Sequence, residues 1–193
     1  MSLPALARRW TLPALVACCT AVSGANRLHA QTARTATHLV THSRVEVARP
    51  ASAIWPFILD PTAWKQGLRL VHHSGPVGEV GETFAAVSPS APAEPAYFVQ
   101  NVELVPNQRR TVKLYEKGGV LIGFATFTLE ASNGGTVVGY DVYTETVLPP
   151  ERASQLTAAA VVEMERAARE SSTTRFQAEL ESLKRLVESR RVQ

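Results

Sequence analysis

The hydrophobic period of this chain changes once, at Pro149 and Pro150, and that change restricts the folds open to it. Upstream, apolar and polar residues alternate over short runs bounded by Gly, Pro and Asn, the pattern of antiparallel strands. Downstream the period is about 3.6 and stays so to the end. Leu156, Ala160, Met164, Ala168, Phe176, Leu180, Leu183 and Val187 are assigned to one stripe, with Glu163, Arg166, Glu170 and Glu181 on the other faces. A meander of strands followed by one long amphipathic helix must bury the helix stripe against the sheet. At about 1.5 Å per residue that helix is longer than a small sheet is wide, so a bend near Ser171–Thr174 or an overhang is expected.

The strands follow from the turn signals. Val45 and Val47 alternate with polar neighbours, and Pro50 then opens a short helical segment carrying Ile54, Trp55, Phe57 and Ile58, which Asp60 and Pro61 stop. Strands are predicted over Leu68–His73, Glu82–Val87, Ala96–Val105, Arg109–Glu116, Val120–Glu130 and Thr136–Val147, with the Ser- and Pro-rich run 88–95 left as a loop. Asn133, Gly134 and Gly135 form the sharpest hairpin signal, because tight hairpin turns need residues that tolerate positive φ. The expected architecture is α+β: about seven antiparallel strands wrapped around a long C-terminal helix, with a short helix between the first and second strands.

The first thirty residues differ from the rest. Arg8 and Arg9 precede an apolar run from Leu12 to Val22, and no acid occurs before Glu46, the layout of a secretory signal with cleavage expected after Ala30. Residues 31–42 read as a flexible spacer and 43–190 as the folded domain, exported to the periplasm or beyond. Leu15, Val16, Ala17 and Cys18 also have the form of a lipobox, so lipidation at Cys18 with anchoring to the cell envelope is the alternative route. Cys18 and Cys19 are the only cysteines, which leaves a mature domain without disulfide or thiol chemistry. Removing Arg8, Arg9 and Arg27 from twenty basic residues leaves seventeen, equal to the seventeen acidic ones, so the basic character of the whole chain gives no argument for nucleic acid. No run of eighteen apolar residues is present to span a bilayer.

Several local motifs resemble the polyketide cyclase and dehydratase-like branch of the START-related helix-grip (SRPBCC) superfamily. They are Arg49–Trp55 with Asp60–Trp64, the turn Gly75–Gly81, Glu103–Pro106 and Gly134–Val138, with Leu180, Leu183, Lys184 and Glu188 similar to the family's terminal helix. The resemblance covers roughly Ser43 to Glu188. It implies a helix-grip fold with a cavity between sheet and helix, and none of its motifs is a catalytic signature.

A strongly twisted sheet closes only partly around one helix, so small residues such as Ala160 and Ala168 need not fill the space between them. Opposite a face holding Glu103, Lys113, Asp141 and Glu145, the residues Phe98, Gln100, Val102, Leu114, Val138, Tyr140 and Val142 are assigned to the inner face, and Ala125, Phe127 and Leu129 are assigned there too on a strand whose two faces are both apolar. Together with Met164 and Ala168 these are the predicted lining of a cavity for an apolar ligand. Gln100, Glu116, Tyr140 and Thr144 are the polar groups available to orient it.

His72 and His73 are adjacent on a predicted strand, so one of them faces inward, and with Tyr140 they are the weak candidates for acid–base work. No carboxylate partner can be assigned to either, and the competing assignment is one surface histidine beside one satisfied in the core. Zinc-ligand spacing, phosphate loops and nucleophile elbows are absent from the sequence, so neither a metal nor another cofactor is expected. Three functions remain open: a carrier of a lipid-like or aromatic small molecule, a cyclase or dehydratase-type enzyme acting in the same cavity, and a lipid-anchored scaffold with a filled core. Oligomeric state is not indicated.

Overall fold

The computed structural model describes residues 36–190 apart from Gln66, residues 148–150 and residues 152–153. The segment expected to be a leader, with Cys18, lies outside the described residues. Seven strands form one antiparallel sheet: β1 (Ala36–Val47), β2 (Arg69–Ser74), β3 (Thr83–Ser88), β4 (Ala91–Val105), β5 (Arg109–Tyr115), β6 (Leu121–Ser132) and β7 (Gly135–Val147). The spatial order β1-β7-β6-β5-β4-β3-β2 makes β1 and β2 the two edges. Helix α1 (Ala51–Leu59) and a 3-10 turn (Pro61–Ala63) connect those edges, and helix α2 (Ala158–Ser189) is the last described element. This is the helix-grip arrangement expected from the change of period.

Local chemistry accounts for the short segment between the edges. Pro50 stands at the start of α1, where its missing N–H is of no consequence, and Ile54 and Ile58, four residues apart, put one fully buried face toward the core. Asp60 ends α1 and its carboxylate accepts from the Thr62 N–H, which turns the chain into the 3-10 segment. Trp64 then enters the core with its indole N–H donating to the Phe57 carbonyl at 2.8 Å. Further along, Gly123 permits the close approach of β6 to β7, because a Cβ there would collide with the Tyr143 carbonyl oxygen.

The core lies between the inner face of the sheet and two helices. Val45 and Val47 from β1, Ala125, Phe127 and Leu129 from β6, and Val138, Tyr140 and Val142 from β7 all point into it. Only the C-terminal half of α2 meets this surface in force, through Phe176, Leu180, Leu183 and Val187. That half runs alongside β1 in the same direction. Gln177 donates to the Arg44 carbonyl, Lys184 to the Glu46 carbonyl, and Glu188 accepts from the Ala48 N–H at 2.9 Å.

Three expectations are corrected. Strand β1 begins at Ala36, so 36–42 belong to the sheet and not to a spacer; every residue from Ala36 to Val47 pairs with β7. Its inward positions there include Thr41 and Ser43, both buried, and polar residues at inward positions hide the alternation from a hydrophobicity pattern. Strand β4 likewise starts inside the expected loop, at Ala91. Its phase is also reversed, because the register shifts between Asn101 and Glu103. Glu103 faces out and accepts from Thr111, but the bulge at Val102 turns Asn101, Val99 and Tyr97 inward. Phe98, Gln100 and Val102 therefore leave the predicted inner set.

Candidate functional site

Where α2 rises away from β7, a cavity of about 280 Å³ remains between helix and sheet. Its apolar wall is built from Leu68, Leu114, Ile122, Val142 and Phe176. Its polar atoms come from Lys65, Tyr97, Tyr140, Thr144, Glu179 and Arg175, the last exposed at the helix surface. A deeper extension of about 70 Å³ shares Lys65, Tyr97, Leu114 and Tyr140 with it and continues to Val112, Phe127 and Arg110. The interior is thus not filled, which removes the basis of the solid scaffold.

Lys65 sits where the two chambers meet. Its ammonium donates to the Tyr140 hydroxyl oxygen at 2.6 Å and lies 3.3 Å from Glu179 Oε2 and 4.5 Å from the Tyr140 ring centre. Burial works against its charge, but Tyr140 and Glu179 outweigh burial and hold the ammonium above the ordinary lysine range. Burial also raises the Tyr97 phenol, against the lowering influence of Lys65. With its oxygen accepting from Lys65, Tyr140 keeps its own O–H to donate. The Tyr140 ring is held in place by stacking on Phe127 at 4.2 Å between centres.

Arg110 closes the deep end. It is 2% exposed, its Nε donates to Asn101 Oδ1 at 2.9 Å, and Nη1 donates to the Ile58 and Leu59 carbonyls at the end of α1. These bonds satisfy carbonyls that a helix terminus leaves open. Among the described residues Nη2 has no partner and the guanidinium forms no ion pair, Glu82 lying against His72 instead. Burial draws its pKa down to about 10 against the charges of Glu82 and Asp60, so it remains protonated at neutral pH.

The predicted site residues divide into three groups. Leu114, Tyr140 and Val142 line the main cavity and Ala125 and Phe127 the deep one, while Leu129 and Val138 are packed in the core. Outside lie Phe98, stacked on Tyr115, together with Gln100, Glu116 and Val102, and on α2 Met164 and Ala168 are exposed. The histidines do not join Tyr140. His73 packs against Phe98 on the outer face, and His72, 46% exposed, lies 3.2 Å from the Glu82 carboxylate at the sheet edge. Among the described residues no group of three or more His, Cys, Asp or Glu converges as a metal site.

Lys65, Tyr97, Arg110, Arg175 and Glu179 were not predicted. The signal for Arg110 was available, since putting Leu114 inward on a strictly alternating β5 also puts Arg110 inward. Lys65 follows a 3-10 turn and belongs to no periodic segment. A larger, more open groove of about 650 Å³ at the other end of β6 and β7, beside Asn107 and Glu130, has no comparable buried polar cluster.

No family model matches the chain, and no curated protein matches its sequence. Solved structures do match in fold. Protein SA2116 from Staphylococcus aureus, of unknown function, aligns at a TM-score of 0.65 with 7% identity, over 80% of this chain and 96% of that one. The di-domain ARO/CYC StfQ from the steffimycin biosynthetic pathway aligns at 0.58 with 15% identity, over 78% of this chain and 51% of that one. The Polyketide_cyc-like protein Cgl2372 from Corynebacterium glutamicum aligns at 0.51 with 17% identity, over 79% and 93%. The chain therefore shares its helix-grip fold with polyketide cyclase-like proteins, and at these identities the likeness concerns fold alone.

Proposed function

We propose that this chain is an exported binding or carrier protein that takes one small, mainly apolar molecule into the cavity between α2 and the sheet. The observation that carries the proposal is the cavity beside Phe176, with apolar walls and polar groups gathered on Lys65, Tyr140 and Glu179. Such a division suits a ligand that is greasy over most of its surface and bonded at one end. Export is supported by the charge and hydropathy of the first thirty residues. Mass analysis of the protein recovered from cells separates cleavage after Ala30, the expected result, from acylation at Cys18.

Binding is tested by native mass spectrometry after exposure to apolar probes. One probe per chain is expected, and uptake is expected to be lost in Leu114→Trp, which fills the wall common to both chambers. Wild-type protein that takes up no probe would refute the proposal.

The contact of Lys65 with Tyr140 and Glu179 favours a second reading, in which a cyclase or dehydratase-type enzyme uses the Tyr140 hydroxyl as proton donor in the same cavity. His72 and His73 have no part in it. A bound molecule recovered with altered mass, in a manner abolished by Tyr140→Phe, would favour chemistry over carriage.

A further inference from the structure

The two chambers differ in charge. The main cavity holds Lys65 and Arg175 against Glu179, whereas the deep one is lined by Lys65 and Arg110 and by no carboxylate. Glu82 and Asp60 act on Arg110 from a distance, but neither lines either chamber or pairs with it. Arg110 is buried, spends three of its bonds on neutral oxygens, and among the described residues its Nη2 has no partner. A buried cation in the wall of a cavity that no carboxylate lines is costly unless an acceptor offsets it, and a carboxylate is the acceptor whose geometry suits a guanidinium best.

Resting on the binding role proposed above, we infer that the ligand is an amphipathic monoanion, an apolar body bearing one carboxylate, which enters carboxylate first and is held at the deep end by Arg110 and Lys65. Glu179 reinforces that orientation. It lies 3.3 Å from Lys65 and offsets that cation on the main-chamber side, whereas no carboxylate lines the deep chamber. The apolar body then occupies the wider chamber against Leu114, Val142 and Phe176.

The test pairs two acids with their methyl esters: decanoate with methyl decanoate, and naphthoate with methyl naphthoate, titrated calorimetrically into the full domain at neutral pH. Each pair has the same body, so the difference reports the carboxylate. At least one acid is expected to bind about tenfold or more tightly than its ester, and Lys65→Met is expected to remove most of that preference. Arg110 also ties down the end of α1, so it is followed in the wild-type sequence, by the guanidinium nitrogen resonances of arginine-labelled protein. Those of Arg110 are expected to shift on adding the acid and not the ester. Equal binding of acid and ester would overturn the inference and leave the carrier role standing, whereas no binding of any probe would remove both. An acid preference that survives Lys65→Met without movement of the Arg110 signals would place the anion elsewhere and equally overturn it.

Discussion

The two halves of α2 are one continuous helix with opposite duties. From Phe176 to Val187 the residues packed on the sheet, Phe176, Leu180, Leu183 and Val187, are apolar and buried, with Glu179 the one carboxylate turned to the cavity, while from Ala158 to Arg175 most residues are exposed, Val162 at 65% and Met164 at 37%. Turning back from Phe176 by helical steps, the inward line passes through Ser172, Arg169 and Glu165. Met164 lies about 120° and Ala168 about 80° around the helix from Phe176. The sheet-facing line thus changes from apolar to polar at Phe176. The cavity opens there, because a polar line does not seat itself against the sheet and the gap beneath is not closed. One half secures the fold, and the boundary between the halves makes the site.

The largest effect is expected from the buried half. Leu183→Ala removes a fully buried side chain from the contact with the sheet and should lower the unfolding free energy by about 2–5 kcal/mol, read from urea denaturation. A loss below about 1 kcal/mol would mean that the two halves are less different than their burial indicates.

The middle effect is on pH. Lys65 and Tyr97 both bind their protons more tightly in the folded chain than their ordinary values, Lys65 through Tyr140 and Glu179 against the opposing effect of burial, Tyr97 through burial. Between the unfolded and folded values the folded state holds more protons, so stability falls as pH rises. The contribution is complete below about pH 10, where the unfolded groups are still protonated, and is lost as pH passes through the folded values. Denaturation of wild type against Lys65→Met from neutral to strongly alkaline pH should show the wild type losing more. Parallel curves would show that Lys65 holds its proton no more tightly in the folded chain than in the unfolded one.

How much of this could be read beforehand depends on whether a residue's environment leaves a periodic trace. The inward face of β7 is legible because Val138, Tyr140 and Val142 alternate opposite Asp141, whereas β6 opens with apolar residues on both faces and its inward set of Ala125, Phe127 and Leu129 is fixed by pairing with β7. On β4 the same logic fails, since one extra residue at Val102 reverses the phase and moves Phe98 and Gln100 outside. On α2 the four-residue steps from Ala160 through Met164 to Ala168 drift around the helix by about 40° each time, so a stripe that looks continuous in sequence leaves the sheet. The polar centre was the least legible part. Lys65 lies in an irregular segment, and Arg110, although alternation from Leu114 turns it inward, stands beside Arg109 in what otherwise resembles a solvent-facing pair.

The smallest effect sharpens the comparison most. Val162→Ala shortens a β-branched residue by as many carbons as would matter in the core, but its side chain faces mostly water. Its transfer term is correspondingly small, and alanine favours the helix by a few tenths of a kcal/mol. Stability should therefore stay within about 0.5 kcal/mol of wild type, with uptake of an apolar probe unchanged. If the substitution instead destabilises by more than about 1 kcal/mol in urea, the first half of α2 rests on an apolar surface in solution. The helix would then lie closer to the sheet than its exposed Val162 and Met164 indicate, with less room beneath it for a ligand.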